Sequence, residues 1–174
     1  MFEPWVGAEY WNGGFKGVRL LILGESHYGD AGTEHPQFTK DVVRQWGQQN
    51  RLAFFTKIAK LALGRAAGVW ITNEERSAFW EQVAFYNFVQ KFVPEARHRP
   101  SPEMWDHACE PFQKVIETLK PHVILVLGQE LAAHIPSVTS EITLCSIQHP
   151  SYSGFQYEPG MTQLASCLTA AKSA

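Results

Sequence analysis

Three segments of this chain carry side chains able to do chemistry, and each belongs to a run of strand-forming residues. Leu20 to Leu23 leads into Gly24-Glu25-Ser26-His27-Tyr28-Gly29, Gln82 to Phe88 carries Asn87 near its end, and Ile142 to Ile147 leads into His149-Pro150-Ser151. Glu25 offers a carboxylate that can orient or deprotonate water. Asn87 offers a donor and an acceptor on one amide. His149 offers an imidazole that can donate a hydrogen bond to an oxygen gaining negative charge. Each also has a plainer reading: Glu25 as a salt-bridge or backbone-capping carboxylate, Asn87 as a strand-end turn residue, His149 as the cap of a turn before Pro150.

These residues can act together only if the fold gathers them, and the flanking pattern predicts that it does. Val18 to Leu23 is a short aliphatic run ended by Gly24, as expected of a buried strand. Gln82 to Phe88, His122 to Leu127 and Ile142 to Ile147 read as three more. Between them lie helical segments at Thr39 to Gln49, Leu52 to Leu63, Thr72 to Trp80, Ser101 to about Leu119 and Gln129 to Ile135, with a last helix ending near Ala171. Thr72-Asn73-Glu74-Glu75 has the form of a capping box. Ser101-Pro102-Glu103 combines a serine cap, a proline at the first helical position and an acid facing the dipole. Alternating strands and helices predict an α/β fold, a three-layer αβα sandwich around a four-stranded parallel sheet. Loops at the carboxyl ends of such strands share one crevice, so Glu25, Asn87, Gln129 and His149 fall on one rim.

Composition narrows the class. The 174 residues are 45% hydrophobic and 18% charged, with proline and glycine scattered, so a single domain over residues 1–174 is expected. A net charge of -2 supplies no global positive field, and any nucleic-acid contact must be local. Cys109, Cys145 and Cys167 are widely spaced and form no CxxC pair, which argues against a disulfide framework and a zinc site and points to a reducing cytoplasm. Residues Met1 to Gly17 are aromatic and glycine-rich without the pattern of a signal peptide, and are expected to dock on the domain. The longest aliphatic run, Val123 to Leu127, is too short to cross a bilayer, so no membrane partner is expected.

Taken in order, these motifs resemble the uracil-DNA glycosylase superfamily. Its members have a Gly-Glu or Gly-Gln motif after the first strand, a base-reading asparagine after the second and His-Pro-Ser after the fourth. The branch with an iron–sulfur cluster is the most similar, matched here by Tyr86-Asn87-Phe88-Val89, Pro94 to Arg99, Ser101-Pro102-Glu103 and Pro121 to Gly128. Only Cys109 falls where that branch has a cluster cysteine, so no cluster, metal or other cofactor is expected. Ser26 stands where other branches have an acidic or amide residue, and His27 where proline is usual, leaving Glu25 as the replacement water activator.

The resemblance implies hydrolysis of the N-glycosidic bond of uracil or a related damaged base in DNA. His149 and Glu25 would be catalytic, and Asn87, Tyr28, Phe54 and Ser26 would hold the base, Asn87 reading the ring edge and Phe54 stacking on its face. Ser151 and Phe155 would press on the DNA minor groove. Lys91 and Arg99, with Arg97 and His98, would contact phosphates. Helix aromatics such as Phe54 and its neighbour Phe55 are more often core, Phe155 can pack on the last helix, and the basic run can be a solvated loop. A second reading keeps the fold as a base- or nucleotide-binding module without catalysis. Gly-Glu-Ser-His also resembles the opening of erythromycin-esterase-like and haem-uptake-like proteins, in which Glu25 and His27 would serve hydrolysis or metal binding. A Ser26–His149 nucleophilic pair ranks last, because no Gly-x-Ser-x-Gly elbow surrounds Ser26.

Overall fold

The computed structural model describes residues 1–95 and 98–173. In chain order the elements are β1 (Trp5–Val6), β2 (Leu20–Gly24), β3 (His27–Tyr28), α1 (Phe38–Val42) continuing into a π-helical stretch Val43–Gln49, α2 (Ala53–Ala62) and α3 (Asn73–Glu81). Then follow β4 (Ala84–Asn87), β5 (Phe92–Val93), α4 (Pro102–Leu119), β6 (Val123–Leu127), α5 (Gln129–His134), β7 (Thr143–Ile147) and α6 (Tyr157–Ser173).

The fold is α/β around a mostly parallel sheet in the order β1-β4-β2-β6-β7. The four strands expected from the sequence are present and mutually parallel. The sheet has a fifth, because Trp5–Val6 pairs antiparallel along β4. Two residues are too few to show a period of two, so this edge strand left no pattern to read. The same holds for β3 and β5, which form a small parallel pair of their own.

Alternation along β2 sends Leu20 and Ile22 to one apolar cluster, shared with α2, α3 and α6, and Leu21 and Leu23 to another, shared with α4. With both faces covered, β2 and β6 are buried along their whole length, which explains why they read as unbroken aliphatic runs. The aromatic N-terminal segment docks as expected: Trp5 Nε1 donates to Trp80 O at 2.9 Å and Tyr10 Oη to Leu119 O at 3.1 Å, both buried.

Local signals hold where they rest on capping chemistry. Thr72 Oγ1 accepts from the Glu75 N–H while Glu75 Oε2 accepts from the Thr72 N–H, a complete capping box. Ser101 caps α4 and Pro102 opens it. The helix expected over Thr39 to Gln49 departs from α geometry at Val43, and within the π-helical stretch Gly47 packs closely on the Trp80 ring. The carbonyls freed at that end, Gly47 O and Gln48 O, accept from the buried Arg76 guanidinium at 2.8 and 2.9 Å, so the helix end is satisfied from within the core. Among the described residues no helix is long and apolar enough to cross a membrane.

Candidate functional site

The order β4-β2-β6-β7 reverses direction at β2 and β6, and in open α/β sheets the ligand crevice opens at such a switch point, outside the carboxyl ends. Glu25 leaves β2, Asn87 ends β4, Gly128 follows β6 and His149 lies just past β7. Glu25, Asn87, Gln129 and His149 thus lie at the carboxyl ends of the four parallel strands, where the sequence pattern put them.

Asn87 is only 5% exposed. It stands opposite Gly24 in the parallel register, and its Oδ1 fills the space a Cβ on Gly24 would need. The backbone of Asn87 is occupied, its carbonyl accepting from Gln90 Nε2 at 2.8 Å. Among the described residues, no protein group hydrogen-bonds its side-chain amide. Nearly buried polar groups are usually paired in folded proteins, so an amide at a strand end with no protein partner is free to bond water or a ligand.

His149 is partly buried, and its ring lies 5.6 Å from that of Phe54 at an interplanar angle of 37°. Phe54 lies edge-on to Phe85 at 6.4 Å, and Phe85 reaches the Gly24 position. A continuous wall thus runs from Asn87 past Gly24, Phe85 and Phe54 to His149. The Ser151 N–H donates to His149 Nδ1 at 3.2 Å, which assigns the proton of the neutral ring to Nε2. Burial, aided by the Arg99 charge, holds the imidazole below its ordinary value, so it is neutral near pH 7 with Nε2–H as a donor. Gly128 packs against the His149 Cβ and has φ +115°, a conformation that resists substitution.

Glu25 is partly buried, and desolvation raises its pKa; the nearby Arg99 opposes that rise while Glu130 adds to it. Arg99 Nη1 lies 3.7 Å from both Glu25 Oε2 and Glu130 Oε2. The basic residue expected on phosphate therefore sits between two carboxylates. Tyr28 is half exposed, and its hydroxyl pKa is raised by partial burial and then by the Glu25 charge, so it belongs to the same lip. Ser26 is partly buried and Ser151 is exposed.

Phe155 is partly buried, packed edge-on to Tyr157 at 5.1 Å under Lys57 Nζ, so it belongs to the wall of the loop. The exposed aromatic there is Tyr152, at 57%. Lys91 is exposed beside the small β3–β5 pair, and Arg97 lies outside the described residues. Phe55, the neighbour weighed against Phe54, is buried against Trp80 and Phe85. Sequence reasoning missed Glu130 and Gly128 as parts of the rim, although both flank Gln129 in the turn after β6. A glycine ending a buried strand was the available signal.

His27 is buried between Phe2 and Phe38, with centroid distances of 5.1 and 4.9 Å, and its Nε2 lies 2.8 Å from Thr39 Oγ1. Its ring is engaged in packing, which leaves it poorly suited to act with Glu25 in hydrolysis or metal binding. Among the described residues no three of histidine, cysteine, aspartate and glutamate gather as a metal site. No family model matches the chain. No curated protein matches it.

Proposed function

We propose that the rim binds a flat heterocyclic base and that the protein is a uracil-DNA glycosylase-like hydrolase acting on uracil or a related damaged base in DNA. The finer architecture, a three-layer αβα sandwich of the uracil-DNA glycosylase kind, belongs to the same proposal. Its support is the parallel order β4-β2-β6-β7 with helices packed on both faces.

The observation that carries the reading is the unpaired, nearly buried Asn87 amide beside a residue that must lack a side chain. A uracil edge presents an N–H next to a C=O, which one asparagine amide satisfies with two hydrogen bonds. Phe54 supplies a face for stacking, and stacking is the general way a flipped base is held. His149 donates Nε2–H to a ring carbonyl oxygen, a bond that strengthens as the ring departs with the electron pair of the broken C1′–N bond. Glu25 takes a proton from water as the water oxygen bonds to C1′, and its raised pKa brings it closer to the range of a useful base. The departing ring nitrogen then takes up a proton from solvent.

The rate of base release from a uracil-containing single-stranded oligonucleotide tests this reading. A measurable wild-type rate that is lost in both His149→Ala and Asn87→Ala supports it; a rate insensitive to both removes it.

A second reading keeps base binding and drops hydrolysis. The engagement of Glu25 by Arg99 favours it, since a carboxylate facing a guanidinium is a weaker base. Uracil binding that Asn87→Ala abolishes, without base release in the wild type, selects this reading.

A further inference from the structure

A cavity of about 250 Å3 opens between α2, the segment 69–71 and the start of α6. Its charge is one-sided: Arg51, Lys57 and Lys60 line it, and among the described residues no carboxylate does. None of the three takes part in an ion pair among those residues. They bind neutral oxygens instead, Arg51 those of Asn73 and Ile71, Lys57 that of Pro150 at 2.8 Å, and Lys60 that of Ala67 at 2.6 Å. Glu74, exposed at the start of α3, feels Arg51 but does not line the cavity.

Two further features point to a planar anion. Trp70 is 71% exposed with the Arg51 guanidinium 3.8 Å over its ring, an arrangement that steadies the indole while leaving most of it open to a second stacking partner. Thr56 also lines the cavity, and its buried Oγ1 has no hydrogen-bond partner among the described residues. The cavity also lies next to the rim, with Lys57 as the link. Lys57 follows Phe54 by about one turn of α2, and its Nζ holds the carbonyl of Pro150, next to His149.

We propose that this cavity is a second subsite that takes the nucleotide adjoining the base held at the rim, its phosphate on Lys57 and Arg51 and its ring on the open part of Trp70. The assignment to a strand running from the rim rests on the base-binding reading above; nucleotide binding in the cavity itself does not. A positively charged groove beside an exposed aromatic is the general means of holding single-stranded nucleic acid. In a chain of net charge -2 this local cluster supplies the attraction that the global charge lacks.

The test is the affinity, at low salt, of a short single-stranded oligodeoxynucleotide with a central uracil. Trp70→Ala is expected to weaken binding about fivefold or more, with Trp70→Phe restoring it. Lys57→Gln is expected to reduce the slope of log affinity against log salt by about 0.7. Trp70 is exposed, so its substitution leaves the core intact, which circular dichroism checks. Unchanged binding in Trp70→Ala beside weakened binding in Asn87→Ala overturns the subsite and leaves the rim reading standing. The reverse pattern supports the cavity as a nucleotide site and removes the rim reading. Thymidine monophosphate competing as well as the oligonucleotide overturns the assignment to a strand. No detectable binding by the wild type overturns both.

Discussion

Asn87 and Gly24 stand side by side in adjacent parallel strands, and the amide of one occupies the place where the other would carry a Cβ. The glycine is therefore what lets the asparagine point along the rim. Gly24→Ala must displace the amide, the Phe85 ring lying close enough to restrict any other relief. The expected result is more than a tenfold loss of uracil affinity together with a stability loss of about 1–3 kcal/mol, the usual cost of overpacking a core position. Urea denaturation and uracil titration measure the two effects, and full binding in the variant contradicts the arrangement.

Phe54 and Phe55 are adjacent in α2 but face different surroundings. Phe55→Ala opens a cavity in the core and is expected to cost about 3–5 kcal/mol of stability. Phe54→Ala, at a partly exposed position beside His149, is expected to cost clearly less while removing about 1–3 kcal/mol of base affinity through lost stacking. Denaturation and base titration of the pair give the comparison; equal loss of base binding in both variants would place Phe54 among core residues only.

The pH dependence of base release should have an acid limb belonging to Glu25. Ionised Glu25 is the active form, and burial raises its pKa above 4.5, so the rate climbs as pH rises through that higher value and then levels off. Arg99→Gln removes a charge that favours ionisation and moves the limb upward; Glu130→Gln removes one that opposes it and moves the limb downward. Single-turnover rates across pH test the order of the three profiles. Identical limbs in all three would detach Glu25 from the chemistry.

The same carboxyl sets a stability prediction of opposite benefit. Its folded pKa is raised, so its contribution is fully present below about pH 4.5 and is lost as pH rises through the folded value. Glu25→Gln should therefore raise Tm at pH 7 while abolishing base release, a trade expected where a site is built at the expense of stability.

His27 makes the chain sensitive to mild acid. Burial lowers its pKa from 6.5 to about 3, so its contribution is present above pH 6.5 and declines as pH falls toward 3. At pH 5 the loss relative to pH 7 is about 2 kcal/mol, at ~1.4 kcal/mol for each pH unit below the ordinary imidazole value. Thermal melts of wild type and His27→Gln between pH 6.5 and 5 should show a clearly steeper drop in the wild type, the variant keeping only the smaller share that the less buried His122 and His149 contribute. That window lies above the usual carboxylate range, so a drop of equal size in the variant would assign the sensitivity to the other histidines.

What the sequence revealed follows from the range over which each interaction acts. The buried aliphatic runs of β2 and β6 and the caps at Thr72 and Ser101 are local, and the polar residues beyond the strand ends follow from them. The strand Trp5–Val6, the π-helical stretch after Val42 and the pairing of Arg99 with two acids depend on partners far along the chain, namely β4, Trp80 with Arg76, and Glu25 with Glu130. Phe54 and Phe55 show the limit most clearly. Both fit the apolar pattern of one helix, and only packing separates the residue at the rim from the one in the core.

Base binding at the rim can be seen in a crystal soaked with uracil. Density for a planar ring is expected between Phe54 and Asn87, with the amide at hydrogen-bond distance from the ring edge and His149 Nε2 facing a ring oxygen. A ring bound elsewhere, or an empty rim with the Asn87 amide bonded to protein, would contradict it.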